Sequence, residues 1–370
     1  VRELRCRCVE NAARAPRYCN IDAPIIGFCA TSGPFVRFLP HAPPSATLTA
    51  VAAFFRNSTV SDQLQKFMFD AAPVRGEYVS LDATWRAVLE RHDYPLPVRH
   101  LLGEMMAAAA LLTANVKFDG ALILQLHGDG PVAMIVVECN ADLTMRATAK
   151  YSGEIPEDAT LKSLVNVNGR ANFAITLDPR VKQPGQQPYQ GIVPLSDEHG
   201  PLPDIASVLE HYMHHSEQLD TRLWLASDEH HAVGILLQKL PGHGGTTGAG
   251  AERAPELDED TWNRVCQLGN TLKRDEMLST DRETMLHRLF WEETVRVFDP
   301  QVTAFRCTCS RERVANMLRT LGEAEVMSVF DERPNVEVAC EFCRQTYHFD
   351  KVDAAQLFVE QAHTAPSVQH

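Results

Sequence analysis

Two short cysteine pairs near the C-terminus restrict this 370-residue chain more than any other feature. The first is Cys307-x-Cys309 in "FRCTCSRERV". The second is Cys340-x-x-Cys343 in "VACEFCRQTYHF", and 30 residues (310–339) lie between them. Four thiolates in two close pairs are the usual ligand set of one tetrahedral Zn²⁺, so Cys307, Cys309, Cys340 and Cys343 are expected to hold one zinc per chain. The intervening segment has room for a helix over 311–320 and a pair of strands. A zinc enzyme needs an open coordination position with a base nearby. Four sulfurs close the shell, so no catalytic residues are expected. The apolar run 46–55 lies too deep in the chain for an ordinary signal peptide, which makes a secreted disulfide framework the weaker use of these thiols.

Chemistry alone leaves this centre open between an inert zinc ribbon, binding a protein or a nucleic acid, and an oxidant sensor. A disulfide across one intervening residue is tightly constrained in Cα separation and dihedral, and strained disulfides are the labile ones. Zn²⁺ with four thiolates carries a net charge of −2. Arg306, Arg311, Arg313 and Arg344 flank the pairs in sequence and are expected to stabilise the sulfurs as thiolates, the form that oxidants attack.

The rest of the chain reads as an α+β protein. "GEYVSL" (76–81) is a short strand, followed by a helix capped by Asp82 and running to about Arg91. Residues 97–118 form a long helix with Pro97 in its first turn. It is apolar on nearly every side and therefore buried at the centre, with Met105 and Met106 as core filler. Strands follow at 121–128, 131–139 and 143–151, the first two joined by a hairpin at Gly128-Asp129-Gly130. Further strands are expected at 171–177, 189–194, 221–226 and 231–239, with a helix at about 203–215. His211, His214 and His215 on that helix have ligand-like spacing but no His-Glu-x-x-His pattern, and are read as a partly exposed face.

Three composition breaks divide the chain. Residues 1–60 contain no lysine and carry seven Arg against three acids, a net of +4. With −13 overall, the remaining 310 residues carry −17, which argues against a general nucleic-acid or membrane-surface binder. Residues 1–59 are expected to be a non-native or disordered extension, with the working protein beginning near Val60. Cys6-x-Cys8 within it lacks a partner pair and is assigned to chance. Residues 60–240 form the α+β core. Residues 241–306 form a linker, Gly-rich at its start and then helical over 257–298. That helical part is charged and interrupted, so it should be marginal alone and rest on something, the neighbouring zinc domain first of all. Residues 307–370 form the small zinc-binding domain.

From about Ser61 to the end, the chain resembles the 33-kDa heat-shock chaperonin family, the redox-regulated holdases. The resemblance rests on the cysteine motif together with "HDYPLPVRHLLGEMMAAAALLTANVKFDG" (92–120), "QLHGDGP" (125–131), "GEIPEDATLKSLV" (153–165), "YMHHSEQLDTRLWL" (212–225) and "VFDPQVTAFRCTCSRERV" (297–314). It implies a cytoplasmic, non-enzymatic stress chaperone whose reduced form is a zinc-bound, weakly active monomer. Oxidation is then implied to pair Cys307 with Cys309 and Cys340 with Cys343, to release zinc and to unfold the zinc domain and linker. The active form is implied to dimerise and to bind unfolding proteins without ATP. Cys139 and Cys266 are additional thiols that could cross-react.

Overall fold

In the computed structural model, which describes residues 62–70, 72–182, 188–240 and 259–362, two six-stranded sheets enclose one long helix. Along the chain the elements are β1 (Gln63–Phe69), β2 (Val74–Leu81), α1 (Ala83–Leu89), α2 (Leu96–Asn115), β3 (Gly120–His127), β4 (Val132–Asn140), β5 (Thr144–Tyr151), α3 (Leu161–Val165), β6 (Asn172–Pro179) and β7 (Tyr189–Pro194). A small pair, β8 (Ser196–Asp197) and β9 (Gly200–Pro201), leads to α4 (Ile205–His215), β10 (Thr221–Ser227) and β11 (Ala232–Lys239). Then come α5 (Glu259–Gly269), α6 (Arg274–Ser279), α7 (Arg282–Phe290), β12 (Val295–Val297), β13 (Gln301–Val302) and β14 (Ala304–Phe305). The last elements are α8 (Arg311–Leu321), α9 (Glu323–Ser328), a 3₁₀ turn, β15 (Val336–Ala339), β16 (Thr346–Phe349) and α10 (Lys351–Ala362). The class is α+β, as expected, and the strands and helices read from sequence between 76 and 239 lie within a few residues of their observed places. The stretches 1–59 and 241–258 lie outside the described residues.

The first sheet runs β10-β11-β2-β1-β12, with β13 also on β1; the second runs β14-β5-β4-β3-β6-β7. Helix α2 lies between them, which explains why its sequence has no polar side: one flank meets β2, β10 and β11, the other β3, β4 and β5. Ala107, Ala108, Ala109 and Ala110 are fully buried and let both sheets come close. Gly103 marks a close approach of the helix to β10, since a Cβ there would stand 2.6 Å from the Ser227 Cβ. Met105 and Met106 are core residues, as read from sequence.

Two differences from the sequence reading matter. Asp82 does not cap α1. The cap is Asp62, whose backbone is left-handed (φ +74°) and whose carboxylate accepts the N–H groups of Asp82, Ala83 and Thr84 at 2.9, 2.8 and 2.8 Å. Asp82 instead pairs with Arg86 at 2.7 Å. The Asp62 carbonyl also receives the Thr303 N–H at 2.9 Å, so one residue ties β1, α1 and the β13–β14 connection together.

The second difference concerns what supports 257–298. Residues 259–297 form α5, α6, α7 and β12, and their apolar side chains rest on the first sheet rather than on the zinc segment. Trp262, Val265, Met277, Met285, Leu289 and Phe290 pack against Phe67, Phe69, Val74, Tyr78, Ile235 and Leu237. The physical reason is that β11 is buried on both faces: one covers α2, and the other needs a second layer. Residues 295–302 then pair with β1, and β14 adds in parallel to β5 at the edge of the second sheet. Among the described residues no helix is long and apolar enough to cross a membrane.

Candidate metal centre

The four cysteines are delivered by two different local structures. The pairing of Ala304 with Thr144 and Phe305 with Met145, continued by the Arg306 N–H on the Met145 carbonyl at 2.9 Å, carries the chain along β5 and sets Cys307 down beside it. Ser310 caps α8 by accepting the Arg313 N–H at 3.2 Å, which holds Cys309 just ahead of the helix. The second pair lies in the turn of the β15–β16 hairpin. The Cys340 N–H donates to the Gln345 carbonyl and the Arg344 N–H to the Cys340 carbonyl, both at 2.9 Å. Arg344 takes a left-handed conformation (φ +62°) to close this knuckle.

All four sulfurs lie within 4.8 Å of one another, with Cys307 and Cys340 at 3.7 Å and Cys309 and Cys343 at 3.4 Å. Zn–S bonds of ~2.3 Å in a tetrahedron put sulfurs about 3.8 Å apart, so the cluster has the dimensions of one tetrahedral thiolate site. The thiols are free, and these contacts are far beyond a ~2.05 Å disulfide bond. Among the described residues this is the one group of three or more His, Cys, Asp or Glu side chains placed to share an ion. His214 instead bonds Asp220 at 3.0 Å, while the His211 and His215 rings touch at a tilt of 55° on α4.

The electrostatics also call for a cation. Burial opposes ionisation of Cys307, but hydrogen bonds from the Cys309 N–H, the Cys309 and Cys343 thiols and Arg146 outweigh it and bring this thiol down to about 7. Burial and the neighbouring sulfurs then push Cys343 up to about 12 and raise Cys340 as well. Like charges this close cannot all ionise unaided, and a divalent ion among them removes that obstacle. Tyr347 donates to the Cys309 sulfur at 3.2 Å, and that bond pushes the phenol up to about 12.

The arginines that flank the pairs in sequence mostly turn elsewhere. Arg306 faces Asp142 at 3.7 Å, Arg311 pairs with Asp353 at 2.7 Å and lies over the Phe349 ring, and Arg313 bonds Thr308 at 2.8 Å. The guanidinium that reaches a sulfur is Arg146 on β5, with Nη1 3.7 Å from Cys307. Sequence proximity could not find it, because 161 residues separate the two. Its signal was a cross-strand one: Arg146 sits directly opposite Glu138 in the β4–β5 register.

The module around the cysteines is small. Its core is Ala315, Leu318, Val326, Val336, Phe349, Ala354 and Leu357. Cys139 and Cys266 belong to the two larger clusters; burial pushes their thiols up to about 12 and about 11, which keeps them protonated and unreactive while folded.

Comparison with known proteins agrees with this architecture. Residues 62–350 match the family model described as "Hsp33 protein". The 33 kDa chaperonin of Chromobacterium violaceum is 48% identical over 303 residues, covering 82% of this chain and 95% of that protein. The 33 kDa chaperonin of Methylobacillus flagellatus is 47% identical over 300 residues, covering 81% and 95%. Among solved structures, the 33 kDa chaperonin of Thermotoga maritima superposes with a TM-score of 0.65 at 20% identity, covering 82% of this chain and 99% of that one, which is a likeness of fold.

Proposed function

The chain belongs to the Hsp33 family, and from that premise we propose that it is an ATP-independent holdase chaperone switched on by oxidation of its cysteine centre. One observation carries the reading: four sulfurs from two chain segments meet in one cluster, in a module with only seven buried apolar residues among those described. Such a module cannot be held by its own core and needs a cross-link or a metal. Cys307, Cys309, Cys340 and Cys343 would hold one Zn²⁺, which when bound supplies the divalent charge that keeps all four as thiolates. Structural zinc is worth ~10–16 kcal/mol in small zinc peptides, as much as the ~5–15 kcal/mol stability of an ordinary domain.

The switch follows from the thiol chemistry. In each pair two thiolates and one peroxide, with two protons, give one disulfide and two waters. The pair loses two electrons and the peroxide O–O bond takes them. Cys307 would join Cys309 and Cys340 would join Cys343; the sulfurs then lose their negative charge and could no longer hold a metal. The module then unfolds and no longer anchors Cys307. The two-residue strands β13 and β14, which offer few hydrogen bonds, are the next to open. Release of α5–α7 would bare Trp262, Leu289 and Phe290 together with the sheet face of Phe67, Phe69 and Tyr78. That apolar surface is where unfolding client proteins would bind, and where two oxidised chains would associate as a dimer; the reduced chain would stay a monomer. Free thiols at the centre suit the reducing cytoplasm.

The test is suppression of citrate synthase aggregation at raised temperature, with and without peroxide pretreatment, while a chromophoric chelator reports zinc. The expected result is one zinc per chain released by peroxide, with suppression appearing alongside. Zinc that stays bound under peroxide, with suppression unchanged, would leave an inert zinc module and overturn the switch.

A further inference from the structure

We propose that Arg146 is a positioning residue of the switch, a clamp by which the second sheet holds the reduced cysteine centre and lets go once its sulfurs are oxidised. This deepens the thiol-switch reading and rests on it for the second half. The geometry is that of a single guanidinium used on three sides. One edge binds Glu138, Nε at 3.1 Å and Nη2 at 2.6 Å from the same carboxylate oxygen. The opposite end, Nη1, stands 3.7 Å from the Cys307 sulfur. The flat face covers the Phe342 ring at 4.2 Å from its centroid, and Phe342 is a residue inside Cys340-x-x-Cys343. Arg146 therefore touches both halves of the centre at once. Its side chain is only 13% exposed and that of Glu138 15%, so these contacts are little screened by water.

The ion pair between this sheet and the knuckle is of a different quality. Lys150 and Glu341 meet at 3.2 Å, but their side chains are 51% and 58% exposed, the kind of surface pair that contributes little. Charge then gives the clamp its direction. A four-thiolate zinc centre is a −2 shell, and the guanidinium end that faces it is attracted. After the oxidation written above, the same sulfurs are neutral disulfide atoms and poor acceptors. Glu138 remains beside Arg146 in either state. The core is thus left with a matched pair rather than an orphaned buried charge when the module leaves. What changes on oxidation is the hold of the sheet on the module and on its edge strand β14, not the pairing of β3, β4 and β5. A lysine could supply the charge but not the fork to Glu138 together with the stacked face on Phe342.

Hydrogen exchange on the full-length protein tests this. In the reduced, zinc-loaded state Arg146→Met should speed exchange at 304–307 and 340–345 by roughly tenfold or more, the scale of a lost charge-assisted hydrogen bond. Zinc content should stay at one per chain, because no ligand is touched, and exchange of α2 should be unchanged. Arg146→Lys should recover part of the protection. If Arg146→Met leaves Glu138 too costly to bury and the core fails to fold, Glu138→Gln/Arg146→Met removes both charges and should show the same local loss. After peroxide the difference between wild type and variant at 340–345 should vanish. Equal protection in the reduced state would overturn the clamp. A difference that persists in full after oxidation would overturn its dependence on sulfur charge. If peroxide fails to release zinc from the wild type, the switch reading falls, and the reduced-state comparison still decides whether Arg146 clamps.

Discussion

The linker helices α5–α7 and the cysteine module are both short, charged, helical segments at the C-terminal end of the chain, yet they are held in opposite ways. The linker helices lend eight apolar residues to a cluster of eighteen buried side chains, and the other ten belong to the first sheet or its flanks. The module has seven among the described residues, two of them on its own two-stranded hairpin, and no larger sheet beneath them. One is stabilised by a neighbour that is folded anyway; the other depends on whatever joins its four sulfurs. This difference ranks the order of failure. Loss of the metal removes the module outright, whereas the linker is left on its sheet with its C-terminal tether gone and only its own docking to keep it there.

The largest effect should come from the sulfurs. Cys307→Ser removes one of four ligands and the sulfur next to Arg146 at a single stroke. Zinc content should fall well below one per chain, and residues 307–362 should lose exchange protection, while the two sheets around α2 keep theirs. With ~10 kcal/mol or more of metal binding at stake, no rearrangement of a seven-residue core can compensate. A variant that keeps its module protected without zinc would show that the comparison has been drawn on the wrong basis.

The next effect is on the linker. Phe290 packs edge-on against Phe69 with ring centroids 5.0 Å apart and is 2% exposed. Phe290→Ala should cost ~3–5 kcal/mol of docking. The linker should then open in the reduced, zinc-bound protein and give holdase activity without peroxide. Two internal thiols read this out. Cys266 lies on α5 within the linker cluster, and Cys139 on β4 within the main core. Alkylation of Cys266 should accelerate in Phe290→Ala while Cys139 stays protected. Acceleration of both would mean that the first sheet fails together with the linker, and that the two regions are not separable.

Much of this was legible before any coordinates. Residues 97–118 announced a helix with no polar face, and the alternating runs between 121 and 151 announced their strands, because hydrophobic period is set by local geometry. The cysteine centre was legible because ligand spacing is a local property as well. What escaped was non-local. The Gln63–Phe69 strand was passed over because Gln65 and Lys66 interrupt its apolar alternation; its Gln65 side chain is satisfied by the Phe298 carbonyl at 2.7 Å, 233 residues away. The cap of α1 comes from Asp62 across a strand pair, and the cation beside Cys307 from the opposite sheet. The support of the linker was misassigned to its sequence neighbour, although the unbroken apolar run 232–237 in β11 already signalled a strand needing cover on both faces.

The smallest predicted effect is a pH dependence of linker docking, and its sign runs against intuition. Arg274 on α6 reaches back to Glu104 on α2 at 2.9 Å and also donates to the Ser227 carbonyl. Burial, eased by Arg274 and aggravated by the nearby charge of Asp204, lifts the Glu104 carboxyl to about 7. His100, one turn away on the same helix, is pushed down by burial and by the charges of Arg274 and Arg99. When the linker lifts away, Glu104 meets water and returns toward its ordinary carboxylate range. The docked state therefore holds a proton that the open state gives up between about pH 4.5 and 7, and docking weakens as pH rises through that window. The total is at most ~3 kcal/mol. Exchange protection in α5–α7 should fall from pH 5 to pH 8 in wild type and stay nearly flat in Glu104→Gln, which keeps the shape and removes the titration. Protection that instead rises with pH in wild type would mean that the Arg274 ion pair outweighs the cost of burying the Glu104 charge. The linker would then be held to the core by that pair as much as by its apolar face.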